Sequence, residues 1–216
     1  MNPYNIINFI ASKRPEKYSK EKIYEISNLL PIPINNAYEN ENGLQGKWKR
    51  KNDGGYEIST YKNNIKNGTS ESYNPNGQLT SKQEFFNGKP NGIWEEYYNN
   101  GDLYSKQEYL NGERNGIWEY YHPNGQLKSK GKFLNGEKNG IWEEYYSNGQ
   151  LSSKHEFLNG EKNGKWERYD YNGKLSSKGE YLNNQKNGIW GQYYENGKLI
   201  EKAEYLNGKL ISNQKY

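Results

Sequence analysis

The apolar positions of this chain follow two different rhythms, and the change falls near residue 42. Before it, Ile6, Ile7, Phe9 and Ile10 form one apolar stripe, and Ile23, Ile26, Leu29 and Leu30 form another at helical spacings of three and four. Asn2 followed by Pro3 supplies a side-chain cap and a proline at the first helical position. Ser19 with Glu21 starts the second stripe in the same manner, and Pro31 ends it. Residues 1–42 are therefore expected to hold two short amphipathic helices, either capping the first strand of the region beyond residue 42 or binding a partner or a second copy. In that region, short runs of alternating apolar and polar residues separated by Asn-Gly pairs predict strands and tight turns.

The strand-like runs repeat. Trp94, Trp118, Trp142, Trp166 and Trp190 recur at a step of 24 residues. Glycines at 92, 116, 140, 164 and 188 precede them, and Tyr97, Tyr121, Tyr145, Tyr169 and Tyr193 come after them at the same step. A fixed period of this size marks an array of stacked units and argues against one compact core. Gly46-Lys47-Trp48 opens the series, its first step (Gly46 to Gly68) is only 22 residues, and Ser70 stands where later units carry Trp. Seven units over 46–211 are expected, turning at Asp53-Gly54, Asn76-Gly77, Asn100-Gly101, Asn124-Gly125, Asn148-Gly149, Asn172-Gly173 and Asn196-Gly197.

Asn-Gly and Asp-Gly are the preferred centres of a two-residue type I′ hairpin, because both central residues need positive φ. Placing the loop there sets a register in which Glu95 faces Lys106, Glu119 faces Lys130, Glu143 faces Lys154 and Glu167 faces Lys178, while Gly191 faces Lys202. Opposite charges thus meet across the strands although charge was not used to place the turns. The same register sets Trp118 against Gly131, Trp166 against Gly179, Trp190 against Ala203, Trp142 against His155 and Trp94 against Gln107. Alternation puts Leu127 and Phe133 on the Trp118 face, the expected buried face. Glu119, Tyr121, Lys130 and Leu134 fall on the other. Short glycine links such as Asn135–Gly140 would join successive hairpins into a meander. The fold class is therefore mostly β: an elongated single-sheet meander of repeated hairpins, about fourteen strands spanning on the order of 65 Å, twisted into a trough, with a short helical N-terminal cap.

Composition supports order. Only 31% of the 216 residues are hydrophobic, yet aromatics reach 15% and 22 residues are Tyr, which buries a ring while its hydroxyl stays hydrated or bonded. The 30 basic and 26 acidic residues leave a net charge of +4, a mixed surface. With no cysteine there is no disulfide, thiolate metal site or cysteine nucleophile. No apolar run reaches transmembrane or signal-peptide length, so a cytoplasmic location is expected, with an envelope or secreted location the alternative for a chain whose signal peptide has been removed.

Units such as Asn139-Gly140-Ile141-Trp142-Glu143-Glu144-Tyr145-Tyr146-Ser147-Asn148-Gly149-Gln150-Leu151, closed by Glu156-Phe157-Leu158-Asn159-Gly160, resemble the bacterial variant of the MORN repeat over roughly residues 46 to 210. The resemblance implies rows of β-hairpins and, from many bacterial members, an antitoxin or immunity-type role. Eukaryotic members, associated with membrane tethering and scaffolding, tend to carry glycine where Trp142 stands here.

Chemistry is sparse. His122 beside a turn and His155 opposite Trp142 read as repeat variants, and Glu143 and Glu144 point to opposite faces. No catalytic group, metal site or cofactor is expected, because the Glu ladder is matched by Lys and the glycines have hairpin spacing. Lys47, Lys49, Arg50 and Lys51 form a basic cluster, but near-balanced charge argues for a solvated sheet end over a nucleic-acid site. Repeated Trp and Tyr also suit carbohydrate or choline, although Trp-x-x-Tyr-Tyr at a step of 24 fits such repeats poorly. The expected function is non-enzymatic binding of another protein, such as a toxin or enzyme that the chain occludes. Surface carbohydrate or choline binding and structural scaffolding are the alternatives. The row Tyr97, Tyr121, Tyr145, Tyr169 and Tyr193 is the candidate contact surface, and Trp94, Trp118, Trp142, Trp166 and Trp190 are the candidate structural core. An edge strand near Tyr205–Ile211 is a further pairing site, and the oligomeric state stays open.

Overall fold

The computed structural model describes residues 32–216 apart from residue 53, so the two helices expected before Pro31 lie outside the described residues. The chain divides into two units, the first closing at Gly101 and the second running Asp102–Tyr216. The first holds β1 (Ile32–Asn40), β2 (Gly43–Asn52), β3 (Gly55–Lys62), β4 (Ile65–Tyr73), β5 (Leu79–Phe86) and β6 (Lys89–Tyr97). The second holds β7 (Leu103–Leu110), β8 (Glu113–Tyr121), β9 (Leu127–Leu134), β10 (Glu137–Tyr145), β11 (Leu151–Leu158), β12 (Glu161–Tyr169), β13 (Leu175–Leu182), β14 (Gln185–Tyr193), β15 (Leu199–Leu206) and β16 (Lys209–Lys215). Each unit is an antiparallel meander whose strand order follows the chain.

The described residues form sixteen strands where fourteen were expected. The array opens at Ile32 instead of Gly46, because Ile32, Pro33 and Ile34 pair with Lys49, Trp48 and Lys47. The stretch 32–40, expected as part of the helical cap, is therefore a strand. It contains Pro33, a residue that offers no backbone donor and is tolerated at a strand start or sheet edge.

In the 24-residue repeats the two Asn-Gly motifs have exchanged roles. Type I′ geometry, with both central residues at positive φ, occurs at the links: Asn135 at 51° and Gly136 at 84°, with Leu134 paired directly to Glu137. At Asn124-Gly125 only the glycine is left-handed, at 79°. There Gly125 N–H donates to His122 O at 2.8 Å and His122 N–H donates to Gln126 O at 2.8 Å, closing a three-residue loop. A type I turn followed by a left-handed glycine is a common three-residue hairpin loop. A bulge lies further along the strand, where the partner of Tyr120 is Ser129 but the partner of Tyr121 is Leu127.

One added loop residue and one bulge residue cancel in register. Glu119 therefore faces Lys130, Glu143 faces Lys154, Glu167 faces Lys178 and Gly191 faces Lys202, although the turn type expected there was wrong. The same pair of residues accounts for the short first step. Asn52 pairs with Gly55 across a two-residue loop with no register shift, so this hairpin lacks both. The bulge also moves Leu127 onto the Tyr121 face, correcting its expected place beside Trp118, since directly opposed residues share a face.

The core of the second unit is a single layer of rings. Tyr109, Trp118, Phe133, Trp142, Phe157, Trp166, Tyr181, Trp190 and Tyr205 touch in succession, with centroids 4.7–6.4 Å apart and mostly tilted or edge-on. That geometry suits the aromatic quadrupole. Trp118, Phe133, Trp142 and Trp166 retain 4–7% exposure. The indole that lies over Gly131 is Trp142, and the one over Gly179 is Trp190. The expected coverage by Trp118 and Trp166, their ladder partners on the preceding strands, is thereby corrected: each ring leans back from the strand that comes after the glycine. A β-carbon at either glycine would occupy ring atoms.

Candidate functional site

On one face, four of the five tyrosines of the candidate row are pinned by the glutamate two residues before them. Tyr97, Tyr121, Tyr145 and Tyr169 donate their hydroxyls to Glu95, Glu119, Glu143 and Glu167 at 2.8–2.9 Å. Two-residue spacing on a strand places both side chains on the same face, which makes the bond local. Lys130 reaches Glu119 at 2.7 Å and Lys154 reaches Glu143 at 3.0 Å. Desolvation first, then the hydrogen bond to glutamate, pushes these four hydroxyls up to about 12. Burial would raise Glu119, but the bonds from Lys130 and Tyr121 outweigh it and hold the carboxyl below its ordinary value. The rings stay half-buried. Tyr193 differs: Gly191 replaces the glutamate, and the phenol leans back over that glycine.

The opposite face carries the tryptophans. Trp118, Trp142 and Trp166 are buried, whereas Trp94 and Trp190 are half-buried. Three indole N–H groups donate to backbone carbonyls of the preceding strand: Trp118 to Glu108, Trp142 to Lys132 and Trp190 to Glu180, at 3.1–3.2 Å. Each acceptor lies one residue beyond the position that the ring covers. Over the rings stand cations that sequence reasoning missed: Arg114 over Trp118 at 4.9 Å, Lys138 over Trp142 at 4.1 Å, Lys162 over Trp166 at 4.6 Å and Lys186 over Trp190 at 4.4 Å. Their step of 24 was visible, but the Glu–Lys pairs drew the register argument to the other face.

The two histidines sit apart. The His122 imidazole Nε2 lies 2.9 Å from Tyr145 O, the place that the Tyr146 hydroxyl takes against Tyr169 O in the next unit. His155 is 8% exposed and stacks on Trp166 with centroids 3.3 Å apart. Burial first, then the positive charge of Arg168, Lys162 and Lys138, lowers its pKa to about 4. Among the described residues no group of three or more His, Cys, Asp or Glu converges, and no helix is long and apolar enough to cross a membrane.

An open meander in which one hairpin's side chains recur with the same contacts defines a β-hairpin repeat protein. The MORN repeat variant model matches residues 66–87, 90–111, 114–135, 138–159, 162–183 and 186–207, more than half of the chain, and the chain belongs to that family. No curated protein matches it. Among solved structures, the crystal structure of TarM is 14% identical with a TM-score of 0.26, over 63% of this chain and 26% of that one. A mutant of S. aureus TarM in complex with Fondaparinux, alpha-GlcNAc-glycerol and UDP gives a TM-score of 0.26 at 14% identity, over 63% of this chain and 27% of that one. The chain spans about a quarter of the length of those proteins, and so slight a likeness has no bearing on function.

Proposed function

We propose that the chain is a non-enzymatic repeat module that binds another protein through its tyrosine row. One observation carries this: the same phenol is held in the same place by its own glutamate in unit after unit. Half-exposed rings that are already fixed lose little conformational entropy when a partner covers them, and tyrosine is a favoured interface anchor. Glutamate and lysine around each ring add charge specificity. The partner to test first is a toxin or other enzyme that the chain occludes, in the manner of antitoxin and immunity-type inhibitors.

The tryptophans are less suited to sugar or choline. Their faces are packed against neighbouring rings, and lysine ammonium groups at 4.1–4.6 Å already occupy the place a quaternary ammonium would take. The test is capture of a toxin-class partner from the native host by the purified chain, repeated with Tyr121→Ala, Tyr145→Ala and Tyr169→Ala combined. Loss of capture with the far-ultraviolet spectrum intact supports the reading. Undiminished capture by the triple variant removes the tyrosine row from it.

A further inference from the structure

Beyond the tyrosine row, we propose that the tryptophan face of β8–β15 is a second interaction surface, built to receive an extended acidic segment of a partner protein. Ionisable side chains on this face are unequally matched. Five cations, Arg114, Lys138, Lys162, Arg168 and Lys186, share it with two carboxylates, Glu144 and Glu201. Both carboxylates are already engaged, Glu144 by the Ser153 hydroxyl at 3.0 Å and Glu201 by the Asn213 amide at 2.6 Å. None of the five cations makes an ion pair among the described residues, where the paired lysines are Lys66 with Glu57, Lys130 with Glu119 and Lys154 with Glu143. A hollow of about 280 Å³ opens between Lys162, Arg168 and Lys186, floored by Trp166, Tyr181 and Trp190, and Glu201 is the one carboxylate in its lining, three cations to one anion.

The spacing selects the conformation of the segment. Arg114, Lys138, Lys162 and Lys186 stand on alternate strands β8, β10, β12 and β14. At about 4.8 Å per strand the cations recur roughly every 9.6 Å across the sheet. A polyproline II chain returns to the same side every three residues, roughly 9.3 Å at its 3.1 Å rise. A β-strand returns every two residues, roughly 6.7 Å, and falls out of step. An acidic residue at every third position therefore meets successive cations, while the apolar residues between lie on the aromatic floor, as in other polyproline recognition.

The experiment is calorimetric titration of the full chain with a peptide of five Glu-Pro-Pro repeats. Five Lys-Pro-Pro repeats, a Glu-Pro alternating peptide and vesicles of phosphatidylglycerol in phosphatidylcholine serve as the other ligands. We expect binding of the Glu-Pro-Pro peptide, at least about tenfold tighter than the alternating peptide, and weakened by added salt. Combined Lys162→Gln and Lys186→Gln should weaken it about tenfold or more, and combined Lys162→Arg and Lys186→Arg should retain it. Combined Lys132→Gln and Lys202→Gln, on the opposite face, should leave it unchanged. No binding of the Glu-Pro-Pro peptide, equal binding of the lysine peptide, or binding of the vesicles in its place overturns the inference. The tyrosine triple variant separates this outcome from the tyrosine-row proposal: it should bind the peptide as the parent does, and its loss of peptide binding would count against a separate surface.

Discussion

Lys66 in the first unit and Lys138 in the second occupy the same place in the repeat, and their surroundings differ. Lys66 reaches into a buried knot where the Glu57 carboxylate accepts from Lys66, Ser59 and Ser70, and Ser59 meets Ser70 at 2.7 Å. Ser59 and Ser70 are each 2% exposed, and Ser70 fills a tryptophan position. Lys138 instead stands over Trp142 and Phe157 with no anion paired to it among the described residues. One backbone rule thus supports two kinds of interior. Around Ser59 and Ser70, hydroxyls and a charge pair stand where later repeats carry rings, with Trp48 and the Phe85–Trp94 pair to either side, whereas a continuous ring ladder runs through the second unit. The polar interior neutralises its cation; the aromatic one leaves its cations available.

The largest loss is expected in the ring ladder. Trp142→Ala removes a ring that touches Phe133 and Phe157 and covers Gly131. It should cost about 3–5 kcal/mol in urea unfolding. A loss under about 1 kcal/mol, close to the range of an ordinary surface substitution, would show that the rings do not share load.

Acid comes next. His155 has its folded pKa depressed to about 4 from 6.5, so protonation favours the unfolded chain. Stability is complete above the unfolded value and is lost as pH falls from 6.5 towards 4, by up to about 3 kcal/mol. His155→Gln, which installs the residue found at Gln107, should flatten the dependence in that window. Thermal melts at pH 7 and pH 4.5 read the difference.

In the first unit, Glu57→Gln leaves Lys66 without its carboxylate and should cost about 1–3 kcal/mol at neutral pH. Burial opposes the ionised Glu57, yet the bonds from Lys66, Ser59 and Ser70 win and hold its pKa below 4.5. Its contribution is therefore present above that ordinary value and lost as pH falls through the lowered one. The gap in urea midpoint between parent and variant should be smaller at pH 3 than at pH 7. The smallest effect belongs to the tyrosine row. Tyr145→Phe should cost about 0.5–1.5 kcal/mol, and ultraviolet titration of the folded parent should show the row ionising at about 12 instead of 10.

Much of this was legible in advance because antiparallel pairing is arithmetic. Once the step of 24 and the Asn-Gly pairs were read, the cross-strand partners of Glu119, Glu143 and Glu167 came with them, even through a wrong turn type. The turn error itself had a signal. Pro75 and Pro123 precede two of the Asn-Gly pairs, and proline fits the first central position of a type I turn. Asn74 and Asp170 accept backbone N–H bonds within their loops, a further mark of that turn class. The strand at Ile32–Asn40 was missed because it precedes the first glycine-tryptophan landmark.

The amino-acid order alone determined the repeat, the strand class and the ladder of opposed charges, since each depends on residues near one another along a hairpin. The tertiary structure decided which tryptophan covers which glycine, the face taken by Leu127, and whether a recurring cation meets a carboxylate or a ring. A strand within a meander has a neighbour on each side, and a hairpin read by itself supplies only one. Side-chain tilt acts across that second boundary and settles the ring and cation contacts, while a bulge inside each hairpin, which the Asn-Gly pair does not announce, settles the face of Leu127.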